Sequence, residues 1–82
     1  MGTSKEDIKD WIKEGQEQGA THMIVVCDTF DWDDYPVYVM PTEDVHKKYA
    51  DYNGPNMQKV MEVYNLSKDI NKQVSQNRAF EF

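Results

Sequence analysis

The sequence predicts a small α+β domain in which helices pack on a three-stranded sheet, in the order α-β-β-α-β-α. Apolar residues recur at helical spacing near the N-terminus, and an uninterrupted apolar run follows at 23–27. Two further segments, 37–40 and 57–66, are rich in β-branched and aromatic residues. A chain of 82 residues has room for one domain, spanning 1–82.

The first helix is predicted over residues 4–19. Ser4 is a suitable N-cap, and Gly19 is a natural stop because glycine adopts the left-handed conformation that ends helices. The apolar stripe of this helix, with Trp11 as a core anchor, consists of Ile8, Trp11, Ile12 and Gly15.

A hairpin is predicted next. The strand Thr21–Phe30 is apolar on both faces in its middle, which is typical of a central strand covered on both sides, and Cys27 is expected to be a small buried hydrophobe. Residues 31–35 are too acidic to continue inside a sheet, so the second strand is expected to begin at Pro36 and to end at Met40.

The remaining elements are a helix, a strand and a helix. Thr42 is the predicted N-cap of the second helix, which ends before the turn-forming residues 53–55. Residues 57–66 suit either a helix or a strand, and their β-branched content favours a third strand. Ser67 is expected to cap the last helix. Met40, Met57 and Met61 are expected to fill gaps in the core, with an adaptable binding surface as the alternative, and Phe80 and Phe82 are expected to dock on the body of the domain.

The charge is concentrated in one region. Fifteen acidic and nine basic residues give a formal charge of −6, and six of the acids lie between Asp28 and Asp44, where no lysine or arginine occurs. Such a surface repels duplex nucleic acid and anionic membranes. A basic protein surface, a metal or a hydroxyl-rich ligand remains possible as a partner.

The expected location is the cytoplasm. The longest apolar run is too short to span a bilayer, and the polar N-terminus does not have the pattern of a secretory signal. A single cysteine cannot form an internal disulfide, which fits a reducing compartment.

The segment 27–36 is the most unusual part of the sequence, because four aspartates and three aromatic residues share it. One interpretation is a solvated acidic turn with Phe30 and Tyr35 in the core. A second is a ligand site, and a third is a calcium loop beginning at Asp31. The calcium loop is disfavoured because Pro36 and Thr42 stand where that motif needs glycine and glutamate. Zinc-ligand spacing is absent as well, so no metal or cofactor is predicted.

In the second interpretation, an aromatic face stacks on a base and a carboxylate accepts ribose hydroxyls, while lysine or arginine neutralises phosphate. The ligand is then a small nucleotide-like molecule. Since the cations are distant in sequence, they could come from another subunit, which favours a homo-oligomer. The candidate ligand-binding residues are Asp28, Phe30, Asp31, Trp32, Asp34, Tyr35, Lys47 and Arg78.

Catalysis is not predicted, and no catalytic residues are assigned. The sequence contains no nucleophile elbow, no phosphate-binding glycine loop and no dinucleotide fingerprint. A domain of this size also seldom encloses a cleft that excludes water. The prediction is a non-catalytic binding module.

The segments Ala20–Asp31, Asp34–Val39 and Val60–Leu66 together resemble a family of small uncharacterised phage and bacterial proteins. Phage proteins of this size often counter host defence, so the resemblance implies action in the host cytoplasm. Two functions follow as expectations. The first is sequestration of a nucleotide-like signalling molecule, and the alternative is an acidic inhibitor that blocks a basic surface of a host protein.

Overall fold

Three antiparallel strands in the order β2-β1-β3 form the middle layer of the protein, and helices lie on both faces of the sheet. The computed structural model describes residues 4–54, 57–76 and 78–82. The elements are α1 (Lys5–Gln18), β1 (His22–Asp28), β2 (Asp33–Val39), α2 (Val45–Tyr52), β3 (Gln58–Asn65) and α3 (Ile70–Val74). The predicted α+β class and the order of its elements are confirmed. Within the described ranges, no helix has the length and apolar character needed to cross a membrane.

The central position of β1 confirms that its two apolar faces are both covered. Residues 23–27 of this strand are all buried. On one face, Met23 and Val25 pack with α1 and α3. On the other face, Ile24 and Val26 pack with α2 and Phe82. Cys27 is buried, as expected.

Helix α1 has the predicted caps and the predicted inner face. The Ser4 hydroxyl accepts a hydrogen bond from the Asp7 N–H, and Gly19 has a φ of 82°. Gly15 allows close packing on the sheet, because a Cβ there would lie 2.9 Å from the side chains of Leu66 and Tyr38. Trp11 is half-buried and packs against the core.

The predicted boundary of the hairpin is wrong. Strand β1 ends at Asp28, before Phe30, and β2 begins at Asp33, three residues before Pro36. Asp33 is exposed, and it pairs with Asp28 at the end of the sheet, where carboxylates reach solvent. The acidic residues are therefore compatible with a strand, because this strand lies at an edge of the sheet.

Two predicted helix caps are also wrong. Asp44, rather than Thr42, caps α2, and its carboxylate accepts from the backbone N–H groups of residues 46 and 47. Asp69, rather than Ser67, caps α3, where it accepts from Lys72 N. Ser67 instead donates its hydroxyl hydrogen to the Asn65 side chain.

The ambiguous segment 57–66 forms β3, which confirms the third strand. Its pairing with β1 shifts between Val25 and Val26, which face Glu62 and Val60, so Met61 is an extra residue in the strand. Met61 packs against the core, as does Met40, whereas Met57 is 60% exposed and contradicts its predicted core position.

The outer edge of β3 is covered by other parts of the chain. The Val63 N–H donates to Ala79 O at 2.8 Å, and Glu81 N–H donates to Val63 O at 2.9 Å. Further along this edge, the buried side chain of Gln73 bonds to both the N–H and the C=O of Asn65. This edge is thus closed to other strands.

The C-terminal phenylalanines differ in their packing. Phe82 docks as predicted, since its ring stacks on His46 at 4.7 Å and meets Tyr49 edge-on at 5.2 Å. Phe80 forms a parallel bridge with Val63, but its side chain remains 43% exposed.

Strand β2 forms the other edge, and Pro36 fits there because of the hydrogen-bond pattern. Val63 lies opposite Ile24 and bonds through both its N–H and its C=O to the outer edge, so Ile24 directs its backbone groups toward β2 and the neighbouring Val25 directs its own toward β3. Pro36 lies opposite Val25 and therefore faces away from β1. Its missing N–H removes no bond from the sheet.

Candidate functional site

The turn between β1 and β2, residues 29–32, is built largely by Asp28. One carboxylate oxygen of Asp28 accepts from Phe30 N at 2.8 Å and from Asp31 N at 3.4 Å. Its backbone oxygen accepts from Trp32 N at 2.6 Å. Trp32 has a φ of 60°, a left-handed conformation that is rare for a bulky residue. Asp28 thus uses its carboxylate to order the turn.

An exposed apolar patch lies at this end of the sheet. Phe30 is 72% exposed, Trp32 62% and Met57 60%. Met57 is held beside the turn because its carbonyl oxygen accepts from both Thr29 N and Thr29 Oγ1, each at 2.8 Å. We call residues 28–34 together with Met57 the tip. The exposure of Phe30 contradicts the interpretation that placed it in the core.

Carboxylates surround the patch. Asp31 and Asp33 are exposed, and Asp34 lies opposite Cys27 in the sheet. The pKa of the Cys27 thiol is raised, first by burial and then by its hydrogen bond to Asp34 and the negative charges of Asp34 and Asp28. The ion pairs Lys48–Glu43 and Lys68–Glu81 lie outside the tip. The tip is therefore apolar at its surface and negative around it.

Tyr35 lies beneath the tip and packs against the core. Its hydroxyl accepts a hydrogen bond from the Gln58 side-chain amide, and its ring packs on the α2 side of the core. Burial raises the pKa of Tyr35, and the nearby Tyr52 and Asp28 raise it further. Tyr35 is half-buried, so it supports the tip and exposes less of its ring than Phe30 or Trp32.

The two candidate cations lie on different elements. Lys47 is exposed on α2 and lines an open hollow of about 810 Å³. Arg78 is exposed beside the outer edge of β3, just before the segment that bonds to Val63. Among the described residues, neither makes a hydrogen bond or ion pair with the tip. The hollow has mixed charge, since its lining consists of Thr42, Glu43, Asp44, Lys47, Lys48, Asp51, Tyr52 and Gln58.

The structure thus brings some of the predicted site residues together, and it adds one residue that was not predicted there. Asp28, Phe30, Asp31, Trp32 and Asp34 lie together in the tip, as their adjacency in the sequence requires. Met57 was considered for an adaptable binding surface but not as part of this site, because nothing local in the sequence links it to a turn 25 residues earlier. The turn-forming sequence at 53–55 predicted where the second helix ends, but not where the chain goes next.

No family model, curated protein or solved structure matches the chain. The resemblance to small phage and bacterial proteins therefore stays a prediction. Within the ranges that the structure describes, no three histidine, cysteine or acidic side chains come together in a way that could hold a metal ion.

Proposed function

We propose that the protein is a non-catalytic interaction module that blocks a basic surface of another protein with its tip. The observation that carries this proposal is the exposure of Phe30, Trp32 and Met57 at one end of the sheet, beside exposed carboxylates. Several exposed apolar side chains at one end of a small domain are typical of interaction sites.

The composition of the tip matches the anatomy of protein interfaces. Tryptophan, phenylalanine and methionine are enriched at the centres of interfaces, where burying one such side chain contributes roughly 1.5–3 kcal/mol. The carboxylates of Asp31 and Asp33 suit a basic rim on the partner and accelerate association at low salt. They also disfavour self-association through the tip, because two copies would bring like charges together.

Sequestration of a nucleotide-like molecule, with Lys47 or Arg78 supplied by a second subunit of a homo-oligomer, is the second candidate. The exposed rings of Phe30 and Trp32 favour it, since both are accessible for stacking on a base. Two observations give it less support. The Asp28 carboxylate is engaged with backbone N–H groups, and the hollow that contains Lys47 also contains three acidic residues.

The resemblance given above extends the first proposal to a biological setting. A phage protein of this kind acts in the cytoplasm of its host, and its partner is a host defence protein whose basic surface it covers. The tip provides the contact, and the rest of the domain provides a rigid support for it.

The test uses matched variants of exposed residues. Immobilised protein is incubated with a bacterial lysate at low ionic strength, in parallel with Phe30→Ala, Trp32→Ala and the control Phe80→Ala. A stoichiometric partner should bind the wild type and the control, be lost from both tip variants, and elute with salt because screening weakens charge attraction. A partner that binds all four proteins equally would refute the proposal.

A second comparison separates charge from apolar contact. Replacing both Asp31 and Asp33 by asparagine should slow association, whereas Asp10→Asn, an exposed change on α1, should not. Native mass spectrometry with linear and cyclic nucleotides tests the second candidate. A stoichiometric adduct that disappears in Trp32→Ala would favour sequestration over the protein-blocking function.

A further inference from the structure

We infer that Thr29 is a positioning residue that fixes Met57 as the third contact of the binding face. The inference rests on the proposed function and deepens it, because it says how the tip is kept ready to bind. Thr29 touches no partner in this scheme. It acts through Met57.

Thr29 holds the main chain of Met57 at the end of the β1–β3 ladder. The Asp28–Gln58 pair is the last one in the β1–β3 ladder, and Thr29 extends it by one residue. Both the N–H and the hydroxyl of Thr29 donate to the same oxygen, Met57 O, at 2.8 Å. A backbone bond alone would join the two segments, and the hydroxyl adds a second bond to the same atom.

The conformation that these bonds hold is a rare one. Met57 has a φ of 60°, as Trp32 does, and these are the only positive-φ residues other than glycine among those described. Such a conformation is unfavourable for a methionine and persists only when its surroundings hold it in place. The two residues so held are both exposed apolar members of the tip.

This geometry favours binding. A binding face whose backbone is already held in place loses less conformational entropy when its partner docks. Asp28 holds the main chain of the turn and Thr29 holds the main chain of Met57, so both segments that carry the patch are held in place. Loss of the Thr29 hydroxyl should therefore loosen Met57 while leaving Phe30 and Trp32 in place.

Three variants separate these effects. Thr29→Val removes the hydroxyl and keeps the branched shape, Thr29→Ser keeps a hydroxyl, and Met57→Ala removes the third contact itself. The HN–Hα scalar coupling and the methyl order parameter of Met57 are measured by NMR in the free protein. Thr29→Val should shift the coupling away from its left-handed value and lower the order parameter, and Thr29→Ser should change neither. Unchanged values in Thr29→Val would overturn the inference without reference to any partner.

Binding is then measured with a defined probe, the hexapeptide Lys-Leu-Lys-Lys-Leu-Lys, which carries the basic and apolar groups expected of the partner surface. Affinity should fall about three- to five-fold in Thr29→Val, the effect of losing roughly one stabilising hydrogen bond, and should be retained in Thr29→Ser. It should fall by about ten-fold or more in Met57→Ala, which loses the apolar contact itself. Equal affinity of Thr29→Val and wild type would overturn the inference. Equal affinity of Phe30→Ala and wild type, or no binding at all, would instead count against the proposed function.

Discussion

The side chain of Gln73 should contribute an unusually large part of the stability for a single polar residue. Gln73 is 2% exposed, and its amide completes the edge of the sheet. Its Oε1 accepts from Asn65 N at 2.7 Å, and its Nε2 donates to Asn65 O at 2.8 Å and to Asp69 O at 3.1 Å. The change Gln73→Met keeps the length of the side chain and removes all three bonds.

The expected loss of stability follows from the polar groups that Gln73→Met leaves without a partner. Asn65 N–H and C=O both lose their partner at the sheet edge, and a buried polar group without a partner costs about 1–3 kcal/mol. Asp69 O is less affected, because Gln73 N also donates to it. The apolar methionine offsets part of the loss, so the free energy of unfolding should fall by roughly 2–4 kcal/mol. A domain of this length has a total of only about 4–12 kcal/mol.

The assay is urea unfolding followed by circular dichroism. With an m-value of about 1 kcal/mol/M, the midpoint should fall by about 2–4 M, whereas the exposed control Gln18→Met should stay within about 0.5 M. Gln73→Glu should be unstable at neutral pH and recover as the pH falls through the titration of its carboxyl group, since only the protonated form donates to Asn65 O. A loss below about 1 kcal/mol in Gln73→Met, with the fold retained, would refute this reasoning.

Three further outcomes are expected. Gly15→Ala should lower the unfolding free energy by about 1 kcal/mol, because the new Cβ would lie 2.9 Å from the side chains of Leu66 and Tyr38. This loss is expected even though alanine favours helices more than glycine does. A variant that is more stable than the wild type in thermal unfolding would contradict this prediction. Burial and Glu14 raise the pKa of Tyr38 from 10.0 to about 12, so its neutral form is favoured in the folded state. Stability should therefore fall as the pH rises from 10 through 12, and less steeply in Tyr38→Phe, as measured by unfolding across that range. Trp32→Ala should change the unfolding free energy by less than about 0.5 kcal/mol, because Trp32 is mostly exposed; a larger loss would show that Trp32 has a structural role.

Local signals in the sequence predicted helix α1 and strand β1 well, and they failed where two local signals competed. Ser4 and Gly19 have no rivals near them, so the caps of α1 follow from the sequence. Thr42 and Asp44 are both good caps, and the choice of Asp44 depends on where the chain leaves β2. Asp33 illustrates a different failure. Acidic residues disfavour strands in general, but the end of an edge strand leaves their carboxylates in water.

The candidate site was also predicted only in part. The acidic and aromatic residues of the turn are neighbours in the sequence, so their clustering needed no structure to be predicted. Whether each ring is buried or exposed was not predictable, because that depends on where the sheet ends. One interpretation placed Phe30 and Tyr35 in the core and another made both part of a ligand site; Phe30 is exposed, while Tyr35, five residues later, packs beneath α2.

The sequence by itself determined the composition of the layers, because the period of the apolar residues fixes which side of each element is buried. Only the tertiary structure decided which distant segments meet. It brought Met57 to Thr29 and Gln73 to Asn65, through single hydrogen-bonding groups that have no periodic pattern. Such contacts depend on the register of β3 and the path of the chain after it. Those are set by the packing of the whole domain and not by any local preference.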